Sequence, residues 1–162
     1  HLQFTIKSYP SHDGVTEQIG QMTGGETVLI EDAWGAISDH GPGTIIAGGA
    51  GITPFLSILR ARQAEYGDLD GYRLIFANSC EKDIILREEL ERMPGLKLDL
   101  VLSDENFDGI YHGQVDSDYL DQADLDFGGT FYLCGPPPMQ EDVSTLLKAR
   151  GVADDRLVHE DW

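Results

Sequence analysis

The sequence predicts an α/β protein with a doubly wound parallel sheet of about five strands and helices on both faces. Three observations predict this class. Short apolar runs alternate with helical patterns from residue 44 onward, a glycine-rich turn follows the first such run, and a Gly-Pro turn follows a later one. Repeated strand–helix units favour parallel strands, and ligands of such sheets bind outside the carboxyl ends of the strands.

The first strand–turn–helix unit predicts an anion site. Residues 44–47 form a β-branched run too short for a helix, and the turn reads Gly49-x-Gly51-x-x-Pro54. Proline fits a first helical position because its missing N–H would have no helical partner there. First-turn N–H groups and the helix dipole then face a phosphate. The alternative is a glycine turn that only lets a helix pack on a strand.

The same alternation continues to the C-terminus, and Pro94-Gly95 ends the second helix of the pattern. Short apolar runs are predicted as strands and longer patterns of 3.6-residue period as helices. The predicted strands are 44–47, 72–77, 96–102, 130–134 and 156–159, and the predicted helices are 54–65, 83–93, 117–125 and 137–150.

The N-terminal segment is predicted to be β-rich but to have too few strands to close a sheet by itself. We expect a boundary near residue 42, within the linker 39–43. The predicted elements are strands at 4–9, 27–30 and 34–37, one helical turn at 16–19, and a turn at Gly24-Gly25.

Composition limits the classes of partner. The chain has 162 residues and a formal net charge of -18, which argues against nucleic acid and anionic membrane surfaces. No run approaches the ~18 apolar residues of a membrane span. Cys80 and Cys134 are too few for a disulfide scaffold or a four-thiolate cluster. The sequence shows no secretory or transit-type signal, so a reducing, cytoplasmic setting is expected. No metal site is predicted, and a solvated acidic surface is the simplest use of the charge.

Three stretches are predicted to meet at the carboxyl edge of the sheet: Gly48–Pro54, Ser103–Glu105 and Cys134–Met139. A cysteine at a strand end beside a helix N-terminus can have a lowered thiol pKa. The alternative for Cys134 is a small buried hydrophobic residue. A redox pair between Cys80 and Cys134 has no support in their spacing.

Three motifs carry a family resemblance. They are Gly49-x-Gly51-Ile-Thr53-Pro54, the stretch 76–85 (FANSCEKDII) and the stretch 133–139 (LCGPPPM). Together they resemble the pyridine-nucleotide domain of the ferredoxin–NADP reductase family, especially its NADH-using branch. Residues 4–9 and Gly14-Val-Thr16 resemble the end of the family's flavin-binding barrel. The resemblance implies a C-terminal remnant of the FAD-binding barrel at 1–42 and an NAD(P)-binding domain at 43–162.

The resemblance implies a flavin-dependent oxidoreductase that passes hydride from NADH to FAD and electrons on to a protein or small-molecule acceptor. The alternative is a non-catalytic module that binds or senses NADH without flavin. The implied dinucleotide-binding residues are Gly49, Gly51, Thr53 and Pro54 at the pyrophosphate and ribose, Cys134 and Gly135 under the nicotinamide, and Pro136 and Met139 on the adenosine side.

The resemblance also implies flavin-side residues. Glu160 and Trp162 match an acidic residue two positions before a terminal aromatic ring that shields the flavin; a solvated carboxylate and a frayed terminus are the alternatives. Gly14 and Thr16 match the element that meets the FAD pyrophosphate. The family's Arg-x-Tyr-Ser/Thr flavin element is not present, so we expect this chain alone to bind FAD poorly.

Preference for NADH over NADPH is expected from the loop after the third strand. The second strand ends at Asn78, without the acidic residue that usually reads the ribose there. NADPH-using relatives carry Ser-Arg after the third strand, whereas this chain has Ser103, Asp104 and Glu105. Carboxylates repel a 2′-phosphate, and Asp104 can accept a hydrogen bond from a free 2′-hydroxyl. Solvated turn acids are the alternative, in which case Lys82 could bind a phosphate.

Overall fold

The computed structural model describes residues 3–8, 13–32 and 35–160. Contacts divide the chain into two units between residues 34 and 35. The assignment of a flavin-domain remnant to residues 1–42 stays a prediction, while the contacts group residues from 35 onward with the second unit.

The first unit contains helix α1, Val15–Gln21, which begins after Gly14 and is followed by a turn at Gly24-Gly25. The helical turn and the glycine turn predicted from the sequence are thereby confirmed. The predicted strands are not formed at 4–8, at 27–30 or, in the second unit, at 35–37. Tyr9 and Trp34, which belonged to two of those predictions, lie outside the described residues.

The missing strands have a physical reason. A strand satisfies its backbone groups by pairing, and an isolated pair is marginal even when it forms. The apolar side chains that suggested strands have no core to cover them, since Phe4 is 63% exposed and Leu29 is 94% exposed. Alternation alone therefore predicted strands that the described chain does not pair.

The second unit contains a parallel sheet of six strands in its described part, in the order β4-β3-β2-β1-β5-β6. Along the chain, successive strands are added on one side of β1 and then on the other. The switch between β1 and β5 is the position where doubly wound sheets bind ligands. The strands are β1 Thr44–Gly48, β2 Arg73–Asn78, β3 Lys97–Leu102, β4 Tyr111–His112, β5 Phe131–Cys134 and β6 Leu157–His159.

Helices cover both faces, as predicted. Alternate residues of β1 point to opposite sides, so Ile45 joins one buried cluster and Ile46 joins the other. The first cluster includes residues of α2 and α3, and the second includes residues of α4 and α5. The helices are α2 Thr53–Tyr66, α3 Arg87–Glu91, α4 Ser117–Gln122 and α5 Pro137–Ala149.

The helix predicted over 83–93 is shorter than expected. A 3-10 turn covers Glu81–Asp83, and α3 begins only after Leu86, whose φ of 53° is left-handed. Ile84, Ile85 and Leu86 all pack against the same core cluster. Three consecutive residues cannot share one face of a helix, so the backbone turns before α3. The two-residue strand β4 was not predicted, because two residues carry no periodicity.

The linker before β1, residues 39–43, is held by hydrogen bonds and an ion pair to side chains in and next to the sheet and in α2. The Tyr132 hydroxyl accepts a hydrogen bond from the His40 N–H at 2.9 Å and donates to the Gly41 carbonyl at 2.7 Å. The Asp39 carboxylate accepts from the Tyr72 hydroxyl at 3.1 Å and pairs with Arg62. Within the described ranges, no helix is long and apolar enough to cross a membrane.

Candidate dinucleotide site

The glycine turn and the start of α5 are packed backbone to backbone. β1 pairs with β5 so that Ala47 lies opposite Cys134. A Cβ added to Gly51 would lie 2.7 Å from the Gly135 nitrogen and would overlap the Cys134 carbonyl. A Cβ added to Gly48 would lie 2.9 Å from the Cδ of Pro136. The two predicted motifs are therefore neighbours, and the glycines are what allow the approach.

Gly49 faces open space. Its φ of 51° is left-handed, and an added Cβ there would meet nothing within 4 Å. A 3-10 turn, Gly49–Ile52, leads directly into α2, which begins at Thr53 and has Pro54 in its first turn. A cradle of this kind fits the pyrophosphate of a dinucleotide, because the ligand can approach bare backbone at a helix start.

Cys134 is a buried, neutral thiol. Burial, and secondarily the negative charge of Glu160, raises the pKa of Cys134 from its ordinary value of 9.0 to about 11. Of the two interpretations of Cys134, the structure favours the small buried hydrophobic residue over a thiol with a lowered pKa, because desolvation at this strand end disfavours the thiolate. Both cysteines are free.

Glu160 lies close to Cys134. It directly follows β6, and β6 pairs with β5 so that His159 lies opposite Leu133. One carboxylate oxygen of Glu160 is near Gly35, where an added Cβ would be 2.7 Å away. The structure therefore brings Glu160 to the edge that also holds Cys134 and Gly135. Trp162 lies outside the described residues, and its predicted role stays a prediction.

The loop after β3 is attached to the loop after β2. The Ser103 N–H donates to the Asn78 carbonyl and the Asp104 N–H donates to the Ser79 carbonyl, both at 3.0 Å. The Ser103 hydroxyl donates to Asp104 Oδ1 at 2.7 Å, which orients an otherwise exposed carboxylate. Glu105 is already engaged, since its Oε2 accepts from the Glu81 N–H at 2.7 Å.

Two buried amides at this edge were not predicted as site residues. Gln140 donates through Nε2 to the Gly135 carbonyl at 2.9 Å and so fixes the turn after β5. The side-chain nitrogen and oxygen of Asn78 are buried without a hydrogen-bond partner among the described residues. An unpaired buried amide costs ~1–3 kcal/mol. A polar molecule bound at the end of β2 could supply the hydrogen bonds that the Asn78 side chain lacks.

Gly14 and Thr16 belong to the first unit. Gly14 is the residue before α1, and Thr16 lies in the first turn of that helix. In the same turn, Glu17 accepts a hydrogen bond from the Asp13 N–H at 2.9 Å, so a carboxylate of the chain already occupies this helix start. The proposed contact of Gly14 and Thr16 with FAD stays a prediction.

The chain is similar to curated proteins named NADH-cytochrome b5 reductase. NADH-cytochrome b5 reductase 1 of Mortierella alpina is 32% identical over 93% of this chain and 54% of its own length. NADH-cytochrome b5 reductase 2 of Danio rerio is 30% identical over 85% of this chain and 53% of its own. The chain spans about half the length of these curated relatives.

Solved structures agree with this similarity. The crystal structure of the cytochrome b5 reductase domain of Ulva prolifera nitrate reductase superposes with a TM-score of 0.77, at 26% identity, over 89% of this chain and 64% of that one. A ferredoxin NADP+ reductase from Neisseria gonorrhoeae, with bound FAD and NADP, shares the fold with a TM-score of 0.73, over 91% of this chain and 70% of that one, at 23% identity. The family model described as an oxidoreductase NAD-binding domain matches residues 45–145. The chain therefore belongs to the oxidoreductase NAD-binding domain family.

Proposed function

We propose that this chain is the dinucleotide-binding part of a flavin-dependent NADH oxidoreductase. The observation that carries the proposal is the open cradle at Gly49, built on the close packing of Gly51 against Gly135. The relatives named NADH-cytochrome b5 reductase support the same activity. An electron-acceptor protein is the supported kind of partner, with a small-molecule acceptor as the alternative, and a cytoplasmic location is part of the proposal.

The chemistry is that of the bound cofactors: NADH supplies a hydride and FAD takes it up. The protein binds and orients. Backbone N–H groups at the start of α2, with Thr53 beside them, would hold the pyrophosphate, and the backbone at Gly135 would lie against the nicotinamide. Gln140 holds that backbone through its bond to the Gly135 carbonyl.

The edge carries a negative charge that would favour the cationic form of a bound nicotinamide ring over its neutral form. Glu160 supplies that charge beside Cys134. The neutral Cys134 thiol would add no competing charge beside a bound nicotinamide.

The test has two measurements. Titration of the 162-residue chain with NADH, followed by nicotinamide fluorescence, should show saturable binding. The holoenzyme with bound FAD should bleach its flavin absorbance when NADH is added without oxygen. Binding without any flavin-containing form would favour a non-catalytic NADH-binding module instead, and absence of binding would refute the proposal.

A further inference from the structure

A cation lies against the loop that carries Asp104. The guanidinium carbon of Arg87, at the start of α3, is 5.6 Å from the centroid of the Phe107 ring. Arg87 Nη1 donates to Glu81 Oε1 at 2.9 Å. The N–H of the same Glu81 binds Glu105 at 2.7 Å. Arg87, Glu81 and Glu105 thus form a continuous link from α3 to the loop after β3.

This guanidinium is occupied by two carboxylates of the chain. Besides Glu81, Arg87 donates through Nε to Glu91 Oε1 at 2.6 Å. The Arg87 side chain is 29% exposed, so it still reaches the surface beside the loop. The hydrogen bond to Glu91, partly opposed by burial and reinforced by Glu81, raises the pKa of Arg87. Two negative charges against one positive charge leave this group of side chains net negative.

We propose that Glu81 and Glu91 withhold Arg87 from the 2′-phosphate of NADPH, and that this sequestration works with Asp104 to set the preference for NADH. The inference rests on the proposed dinucleotide function. A guanidinium is the side-chain group that best pairs with phosphate, through parallel N–H donors. Arg87 therefore has the chemistry for a 2′-phosphate and lies beside the loop that carries Asp104, but its positive charge and two of its five N–H donors are already engaged by Glu81 and Glu91.

The experiment compares two ligands that lack the nicotinamide, ADP-ribose and 2′-phospho-ADP-ribose, by calorimetric titration of the 162-residue chain. The unchanged chain should bind ADP-ribose more tightly. The double substitution Glu81→Gln and Glu91→Gln removes the two negative charges that offset the guanidinium. The ratio of the two affinities should then shift about threefold to tenfold toward the phosphorylated ligand. Each single substitution should give a smaller shift in the same direction.

A matched control separates release of Arg87 from a general loss of negative charge. Glu88 lies on the same helix and pairs with Arg92 at 3.0 Å, with side chains 79% and 76% exposed. Glu88→Gln should leave the affinity ratio unchanged. Adding Arg87→Met to the double variant should abolish the gain, and melting curves establish that each variant is folded.

The possible outcomes distinguish a failure of the proposed role of Glu81 and Glu91 from a failure of the proposed dinucleotide function. Bound ADP-ribose with an unchanged ratio in the double variant would overturn the role of Glu81 and Glu91 alone. That role is equally overturned if the gain survives Arg87→Met or also appears with Glu88→Gln. An unchanged chain that does not bind ADP-ribose would overturn the proposed function and the inference with it.

Discussion

Gly51→Ala should destabilise the protein and disturb the site together. The new Cβ would lie 2.7 Å from the Gly135 nitrogen and overlap the Cys134 carbonyl. Both neighbours are backbone atoms, so no side chain can rotate away to relieve the overlap. The turn after β1 and the turn after β5 must therefore move apart.

The size of the effect follows from the cost of overpacking a well-packed interior, ~1–3 kcal/mol for an added methyl group. For a chain of this length, that cost corresponds to a melting temperature lowered by roughly 3–10 °C. Separation of the two turns would also disturb the backbone at Gly135, which the proposed function assigns to the nicotinamide. NADH affinity should therefore fall along with stability.

Two other glycines provide the controls. Gly24→Ala adds a methyl group where nothing lies within 4 Å, and it should leave both stability and binding unchanged. Gly49→Ala also enters open space, but at a φ of 51°, which costs ~1–2 kcal/mol of strain. Its methyl group would fill the cradle and weaken binding beyond what the stability loss explains. Thermal unfolding and NADH titration of all three variants check this, and an unchanged melting temperature for Gly51→Ala would refute the close packing.

Three further predictions address charge and hydrogen bonding. The raised pKa of Cys134, about 11, means that the fold favours the neutral thiol. The contribution of this thiol to stability should be complete below pH 9 and should be lost as the pH rises toward 11. Melting curves recorded across this pH range should show the loss in the parent protein and not in Cys134→Ser. Asp104→Arg should shift steady-state preference toward NADPH by roughly tenfold to a hundredfold; equal rates for both nucleotides in the parent would contradict this. Tyr132→Phe leaves the His40 N–H and Gly41 carbonyl without their partner, so denaturant unfolding should show a loss of ~1–2 kcal/mol.

The sheet could be predicted from sequence because its central strands β1 and β5 are buried on both faces. The apolar run of β1 is almost free of polar residues, and each of its five residues is buried. Strand bounds were accordingly predicted to within one residue for β1, β2, β3, β5 and β6. Alternating patterns near the N-terminus were misleading, because alternation signals a strand only where a partner and a core exist.

The site was predictable where backbone geometry dictates the residue type. Gly51 and Gly135 indicate close approach in the sequence itself, and the fold brings them together. The pKa of Cys134 was not predictable in the same way. Its direction depends on how deeply β5 is buried and on Glu160, which lies beyond the last strand. Helix starts lower a thiol pKa only when desolvation does not exceed their effect.

The proposed preference for NADH depends on which side chains are exposed, and the spacing of residues in the sequence does not show this. Asp104 and Glu105 are adjacent acids in the sequence and look equivalent there. In the fold, Asp104 is exposed, whereas Glu105 is bonded to the Glu81 N–H. Asp104 is thus the more accessible of the two carboxylates, while Glu105 anchors the loop to the residue that also binds Arg87. In the proposed discrimination against NADPH, Asp104 would therefore act directly on the ribose, and Glu81 and Glu91 would keep Arg87 from pairing with a phosphate.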